Sequence, residues 1–438
     1  MLFYLGLILT IVGLLFVSIQ TVKKRNILSP QMFLFGGILI FLFLPAIVLE
    51  SKYIKEPGYN AAILLGVIGC YIASCSFPYN ILDQNKREEF YTPKIYVFRT
   101  GAYIYALYLL YQILSTILLH GSIAAVFATN RIDNYLGENI ISASPIHRAL
   151  SEGLKIFFYF YIAYLFSNRK YVEGIFLYAV PMIHHRFTAV TRYDFVAMAG
   201  ALVIYFLDSR LYKKTKIISD IDNKISNRKK KVKLLKLILI GVACIYFTLI
   251  FMRVSNFTRY GKKAVGLDIS FIKLLKTTIS NDSLYYEYFH HLYTSIQKGV
   301  VGYEFGKSWL VYPFINFIPR SLWFNKPYTA FSARMTDQVY WKLTSGNPVV
   351  TFSIFGEGYA QFGFLGCLIC PFIFLGSRWL NFRELKKMQY NRLYILIVMF
   401  SLLTYMRSEA PMFYVLLDFA WLMIIQKFFM KNRRRKND

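Results

Sequence analysis

The sequence predicts an all-α polytopic membrane protein of about 11 transmembrane helices (10–12) with a large, partly helical extracytoplasmic loop. Three observations predict it. Hydrophobic residues make up 56% of the 438 residues, aromatics 18%, and the mean hydropathy is +0.42. Apolar runs recur near the roughly 20 residues that cross a bilayer. The formal net charge of +28 sits mostly in short basic blocks beside those runs. In a soluble chain such a charge would suggest nucleic acid; placed like this it reads as orientation signals and contacts with anionic lipid, and nucleic acid is excluded as a partner.

The first run, Leu2 to Gln20, is followed by no small-x-small cleavage pattern, and its cations come after it, so it reads as a retained helix. Lys23-Lys24-Arg25 marks the cytoplasmic side. Runs two and three, Gln31 to Leu49 and Asn60 to Asn80, enclose a short outer loop from Glu50 to Tyr59. The fourth, Ile95 to Leu119, opens onto an outer loop containing His147 and Arg148; the fifth, Leu154 to Phe166, ends at Asn168-Arg169-Lys170 inside. Tyr171 to Ile183 and Phe195 to Leu207 then flank a polar bend with His184, His185, Arg186, Arg192 and Asp194; charge at that depth points to function or to side chains that snorkel to the interface. A basic connector near 210–236 lies inside.

Residues 1–251 thus hold helices one to eight, with Leu237 to Phe251 the last of them, and 252–350 form the extracytoplasmic loop. Residues 351–429 hold helices nine to eleven, starting with Thr351 to Gly376, and 430–438 form a basic cytoplasmic tail. About 30 of the 51 Lys and Arg residues fall on the cytoplasmic side in this arrangement.

The loop carries the candidate chemistry. Between Met252 and Val350 stand twelve Lys/Arg against five Asp/Glu, with Trp309, Trp323 and Trp341. Cations beside exposed rings suit a ligand with an anionic head and a sugar body; the same aromatics also suit simple packing or the bilayer interface. A helix is expected from Asn281-Asp282 to Gly299, with an Asx cap and a terminal glycine. On it Glu287 lies one turn from His290 and His291, a spacing for an acid–base pair or a structural hydrogen bond. Arg320 and Lys326 bracket Trp323 and are restrained by Pro319 and Pro327, so two cations can face one ligand. Glu357, between two glycines at a helix mouth, is a candidate base or a carboxylate favoured by the helix dipole. Gly356, Gly358, Gly363 and Gly366 match no nucleotide loop, and close helix packing explains them better. Cys367-x-x-Cys370 lacks the second pair or histidine that zinc would need and reads as small packed core. No cofactor and no metal is expected.

These residues resemble the Wzy-type polysaccharide polymerases. The likeness lies in the many-helix architecture, the late outer loop with Ile318-Pro319-Arg320-x-x-Trp323-x-x-Lys326-Pro327, and the following Ser353-x-x-Gly356-Glu357-x-Tyr359-x-x-Phe362-Gly363-x-x-Gly366. Arg192, ahead of a helix, also fits their use of an outer-loop arginine. The resemblance implies a GT-C-like fold and metal-independent glycosyl transfer on the outer face of the bacterial cytoplasmic (inner) membrane. Undecaprenyl-pyrophosphate-linked oligosaccharide units would be joined into O-antigen or capsular polysaccharide, with membrane lipids and a chain-length regulator as partners. Under it, Arg320, Arg192 and Arg186, then Lys326 and Arg407, would hold the pyrophosphate. Glu357, His290 or His291 would be the base, and Trp323, Trp341 and Tyr359 would face sugar. An O-antigen-type ligase shares architecture and donor. A flippase of the same pathway would be a non-enzyme with repeated halves, and no repeat is seen. A membrane acyltransferase would need a His–Asp pairing that the spacing does not offer.

Overall fold

The computed structural model describes residues 1–23, 29–77, 89–122, 145–187, 198–206, 284–316, 318, 322–323, 325–327, 330–340, 350–407 and 412–434. It is a helical bundle. Six helices among these residues are long and apolar enough to cross a membrane: α1 (Leu2–Lys23), the composite α2–α3 (Pro30–Ile38 and Leu44–Val48), α4 (Pro57–Ser76), α5 (Ile95–His120), α6 (Pro145–Ser167) and α10 (Ser353–Lys386). The chain is therefore a multi-pass, all-α membrane protein. Between α2 and α3 the turn Leu39–Phe43 is a π-helix; Pro45 follows it, and its ring cannot sit over a tight preceding turn. Helices α7 (Tyr171–Phe187), α11 (Arg392–Arg407) and α12 (Met412–Phe429) pack into the same bundle, and residues 198–206 are also helical. The expected span Leu237 to Phe251 lies outside the described residues.

Sequence pattern explains which faces turn outward. On α1, Tyr4, Ile8, Ile11, Leu15 and Ile19 are exposed at three- and four-residue steps, and on α5 so are Leu107, Leu110, Leu114 and Leu118. Such stripes are costly in water and at home in hydrocarbon. Polar groups turn inward: Arg378 of α10 pairs with Asp418 of α12 at 3.4 Å, and Tyr394 donates to the same carboxylate at 3.4 Å.

The bundle has two distinct ends. At one, β1 (Glu89–Pro93) pairs antiparallel with β2 (Met430–Arg434), in the register Glu89↔Arg434 to Pro93↔Met430. Tyr91 also exchanges main-chain bonds with Lys387 (2.8 Å) and Gln389 (2.9 Å). Ser29, which caps α2, and Tyr390, packed on Tyr164, belong to the same end. The opposite end gathers residues 51–56, α8 (Tyr285–Gln297), residues 303–316, α9 (Phe331–Tyr340) and the start of α10.

Helix α10 differs from the single span expected from Thr351 to Gly376. Phe362 and Gly363 leave helical geometry, Gly363 at φ +61. The chain doubles back there: the Cys367 thiol donates to the Phe355 carbonyl at 3.4 Å, and the Tyr359 and Phe364 rings meet at 5.6 Å. A straight helix would hold positions twelve apart roughly 18 Å from each other. The element is thus a hairpin. Its short arm, Ser353–Gln361, is roughly 13 Å long and too short to cross; its long arm, Phe364–Lys386, is roughly 34 Å. Every residue of the short arm is buried. The glycines permit this. A Cβ on Gly366 would overlap the Gly358 carbonyl, and one on Gly69 of α4 would overlap the Leu368 carbonyl. Close packing is the role expected of Gly358 and Gly366, while Gly363 turns the chain instead.

Candidate functional site

Helix α8 organises the end opposite the strands. Its buried face carries Tyr285, Tyr286, Phe289, His290, Leu292 and Ile296, a spacing that lays one side against neighbouring helices. It ends where expected, with Gly299 at φ +71. Its start is Tyr285, capped by no side chain; Asn281 and Asp282 lie outside the described residues.

His290 is paired with Glu56 of the short loop before α4, through Nε2. Sequence spacing nominated Glu287 as the partner. The difference is one of faces: His290 is on the buried side of α8, while Glu287 stands at its rim beside Leu49 and Ser51. The ring of Tyr53 stacks on His290 at 3.7 Å and 14°. Both Tyr53 and Glu56 are set by Asn60, whose amide donates to the carbonyls of Tyr53 (3.2 Å), Ile54 (3.0 Å) and Glu56 (2.6 Å). Asn60 in turn accepts from the Tyr286 hydroxyl at 2.8 Å. His291 shares a 2.8 Å hydrogen bond between Nδ1 and the Tyr340 hydroxyl. Burial pushes the His290 imidazole below its usual value, outweighing the upward pull of Glu56; burial, with His290 next, also lowers His291. Both rings are thus neutral near pH 7. With Nε2–H given to Glu56, the lone pair of His290 lies on Nδ1, which is buried and has no hydrogen-bond partner among the described residues.

A second cluster locks the tip of the α10 hairpin. Glu304 accepts from Arg334 Nε at 2.8 Å and Nη2 at 3.0 Å, from Gln361 at 2.8 Å and from the Ser308 hydroxyl. The Arg334 guanidinium also lies 3.7 Å from the centre of the Tyr312 ring. Burial raises the Glu304 carboxyl, but Arg334, helped by Ser308 and Gln361, holds it below the usual carboxylate range. Main-chain N–H groups of Glu304 and Phe305 reach the carbonyls of Ala360 (2.8 Å) and Gln361 (3.1 Å), satisfying the end of the short arm. Glu357, 1% exposed on that arm, accepts from the Trp309 indole at 2.8 Å. The two clusters adjoin through Tyr293 and Tyr359, whose rings are 5.0 Å apart.

The other sequence candidates fall as follows. Tyr359 is buried and accepts from Gln297 at 2.5 Å. Lys326 is buried, and its ammonium donates to the carbonyls of Ile318 (2.7 Å) and Asn316 (3.3 Å). Trp323 is partly exposed. Arg186 and Arg407 close α7 and α11 at this end of the bundle. Arg320, Arg192 and Trp341 lie outside the described residues. His184 bonds to Gln112 at 2.6 Å. Cys367 and Cys370 are fully buried in the hairpin contact. Among the described residues no group of three or more His, Cys, Asp or Glu is placed to hold a metal.

Glu56, Asn60, Glu304 and Arg334 were not singled out by the sequence. The available signal was a lone charge amid aromatic and small residues, as in Val301-Gly-Tyr-Glu304-Phe-Gly and Phe331-Ser-Ala-Arg334-Met. No family model, curated protein or solved structure matches the chain.

Proposed function

We propose that the chain is a membrane glycosyltransferase that joins oligosaccharide units carried on a polyprenyl pyrophosphate, of the polysaccharide-polymerase kind that its motifs resemble. The finer topology of eleven crossings, a GT-C-like fold and an extracytoplasmic site belong to the same proposal. The observation that carries it is the Glu56–His290 pair, a carboxylate-oriented neutral imidazole buried at one end of a membrane-spanning bundle. In the proposed step, His290 Nδ1 takes the proton of the acceptor hydroxyl as its oxygen bonds to the anomeric carbon. The sugar–phosphate bond breaks and the lipid pyrophosphate leaves with the electron pair. Glu56 then stabilises the imidazolium. Arg320 takes the departing phosphate, seconded by Arg192, Arg186 and Arg407. Lys326 is left out of this set, since its ammonium is engaged by two main-chain carbonyls.

Two results are expected. His290→Ala lowers polymerisation by roughly 100-fold or more, read as glycan chain length on a gel beside protein abundance. The acid limb of the wild-type pH profile lies below the usual imidazole value, because burial lowers His290. Glu56→Gln removes a charge that raises His290, so that limb moves to still lower pH as the rate drops. Long glycan from His290→Ala would remove this base. Separately, Arg320→Ala is expected to cost roughly 100- to 1000-fold by losing a contact made mainly in the transition state. Its cells would carry single lipid-linked units, with Arg320→Lys partly active. Full-length polymer from Arg320→Ala would pass the role to Arg192 or Arg186.

A further inference from the structure

The described residues between Val300 and Trp323 are inside-out for a loop in water. Leu310, Phe314, Ile318 and Leu322 recur every four residues and all are exposed, Leu322 at 80% and Leu310 at 69%. The opposite side of the same segment is polar and buried: Glu304 and Ser308 join the Arg334 cluster, and Trp309 donates to Glu357. A chain surrounded by water places these groups the other way round. The apolar surface is continuous with the exposed residues of the hairpin, because the Phe305 ring meets Phe362 at 6.4 Å and Phe364 and Leu365 follow it, both exposed. The turn Tyr312–Ile315 also packs beside α12, one of the bundle's apolar helices. Lys298 and Lys307 flank the surface as exposed cations, suited to anionic headgroups.

We infer that the stretch Val300–Asn316, together with Ile318 and Leu322, is embedded in the lipid leaflet at this end of the bundle, with Leu310, Phe314, Ile318 and Leu322 among acyl chains and its polar side turned to the Glu304–Arg334 cluster. The segment that sequence reads as part of a water-exposed loop is then the wall between the site and the lipid. The inference stands whether or not the chain transfers sugars, since it rests on exposure and continuity alone.

Nitroxide labelling of the full chain in phosphatidylethanolamine–phosphatidylglycerol liposomes tests it. Cys75 and Cys244 are replaced by serine, and single cysteines are placed at Leu310, Phe314 and Leu322. Lys298→Cys reports water and Leu114→Cys, on the outward stripe of α5, reports lipid. The expected ratio of oxygen to nickel-chelate collision matches Leu114 and exceeds Lys298 several-fold at all three sites. Nickel accessibility equal to that at Lys298 would place the segment in water and overturn the inference. Low accessibility to both reagents would overturn it too, by showing that protein covers the surface, either a second copy or another partner.

Discussion

Gly366→Val is expected to abolish the monodisperse protein. The two arms of the α10 hairpin touch through backbone at Gly358 and Gly366, and any Cβ at 366 would enter the Gly358 carbonyl. Ordinary overpacking costs about 1–3 kcal/mol because side chains can shift. Here the obstacle is main chain, fixed on its far side by α4, whose Gly69 backs onto Leu368 and whose Gly66 faces the Phe355 ring. The cost therefore exceeds that range and takes a large share of the roughly 5–15 kcal/mol that holds a typical fold. Gly302→Ala is the matched control, since nothing lies within 4 Å of its added carbon. Size-exclusion profiles of fluorescent fusions in mild detergent compare the two. A normal Gly366→Val profile would show that the arms do not pack as described.

Arg334→Ala should destabilise the fold by about 3–5 kcal/mol, the usual cost of leaving a buried charge without its partner. Glu304 would lose two of its hydrogen bonds and its only described cation, at 7% exposure. The neutral double replacement Glu304→Gln with Arg334→Met is expected to recover most of that loss, because no charge is then stranded. Thermal unfolding in detergent reads both. The sign of the pH dependence follows from Glu304. Its carboxyl is held low in the folded chain, so its contribution is complete above the ordinary carboxylate value and is lost as the pH falls through the folded one. The double replacement should flatten that acid-side loss. Equal stability of Arg334→Ala and wild type would demote the cluster to an incidental contact.

The spanning helices were legible because hydrocarbon imposes a length and composition that a linear chain displays directly. Several ends came within a few residues, Leu2–Lys23 for Leu2 to Gln20 and Ile95–His120 for Ile95 to Leu119, whereas Pro145–Ser167 begins nine residues ahead of the expected Leu154. The hairpin was not legible. Its reversal at Phe362–Gly363 falls inside a run that reads as one span, and Gly363 looks like every packing glycine around it. The helix bearing His290 and His291 was readable from its periodicity, but its partner was not. His290 and Glu56 are 234 positions apart, and nothing in local spacing announces such a pair. Lys326 shows the converse: its spacing from Arg320 suggested a shared ligand, yet its ammonium faces main-chain carbonyls.

The strand ribbon constrains the path of the whole chain. Thr92 and Lys431 are joined across it though 339 positions apart, so β1 is made early and must wait, unpaired, for the last residues to be synthesised. Both strands must also meet on one side of the bilayer. The number of crossings between Pro93 and Met430 is consequently even, a parity rule that any proposed topology has to obey. The fourth to eleventh expected spans satisfy it. A variant that deleted or inverted one crossing would carry β2 to the wrong side, where it could never find β1.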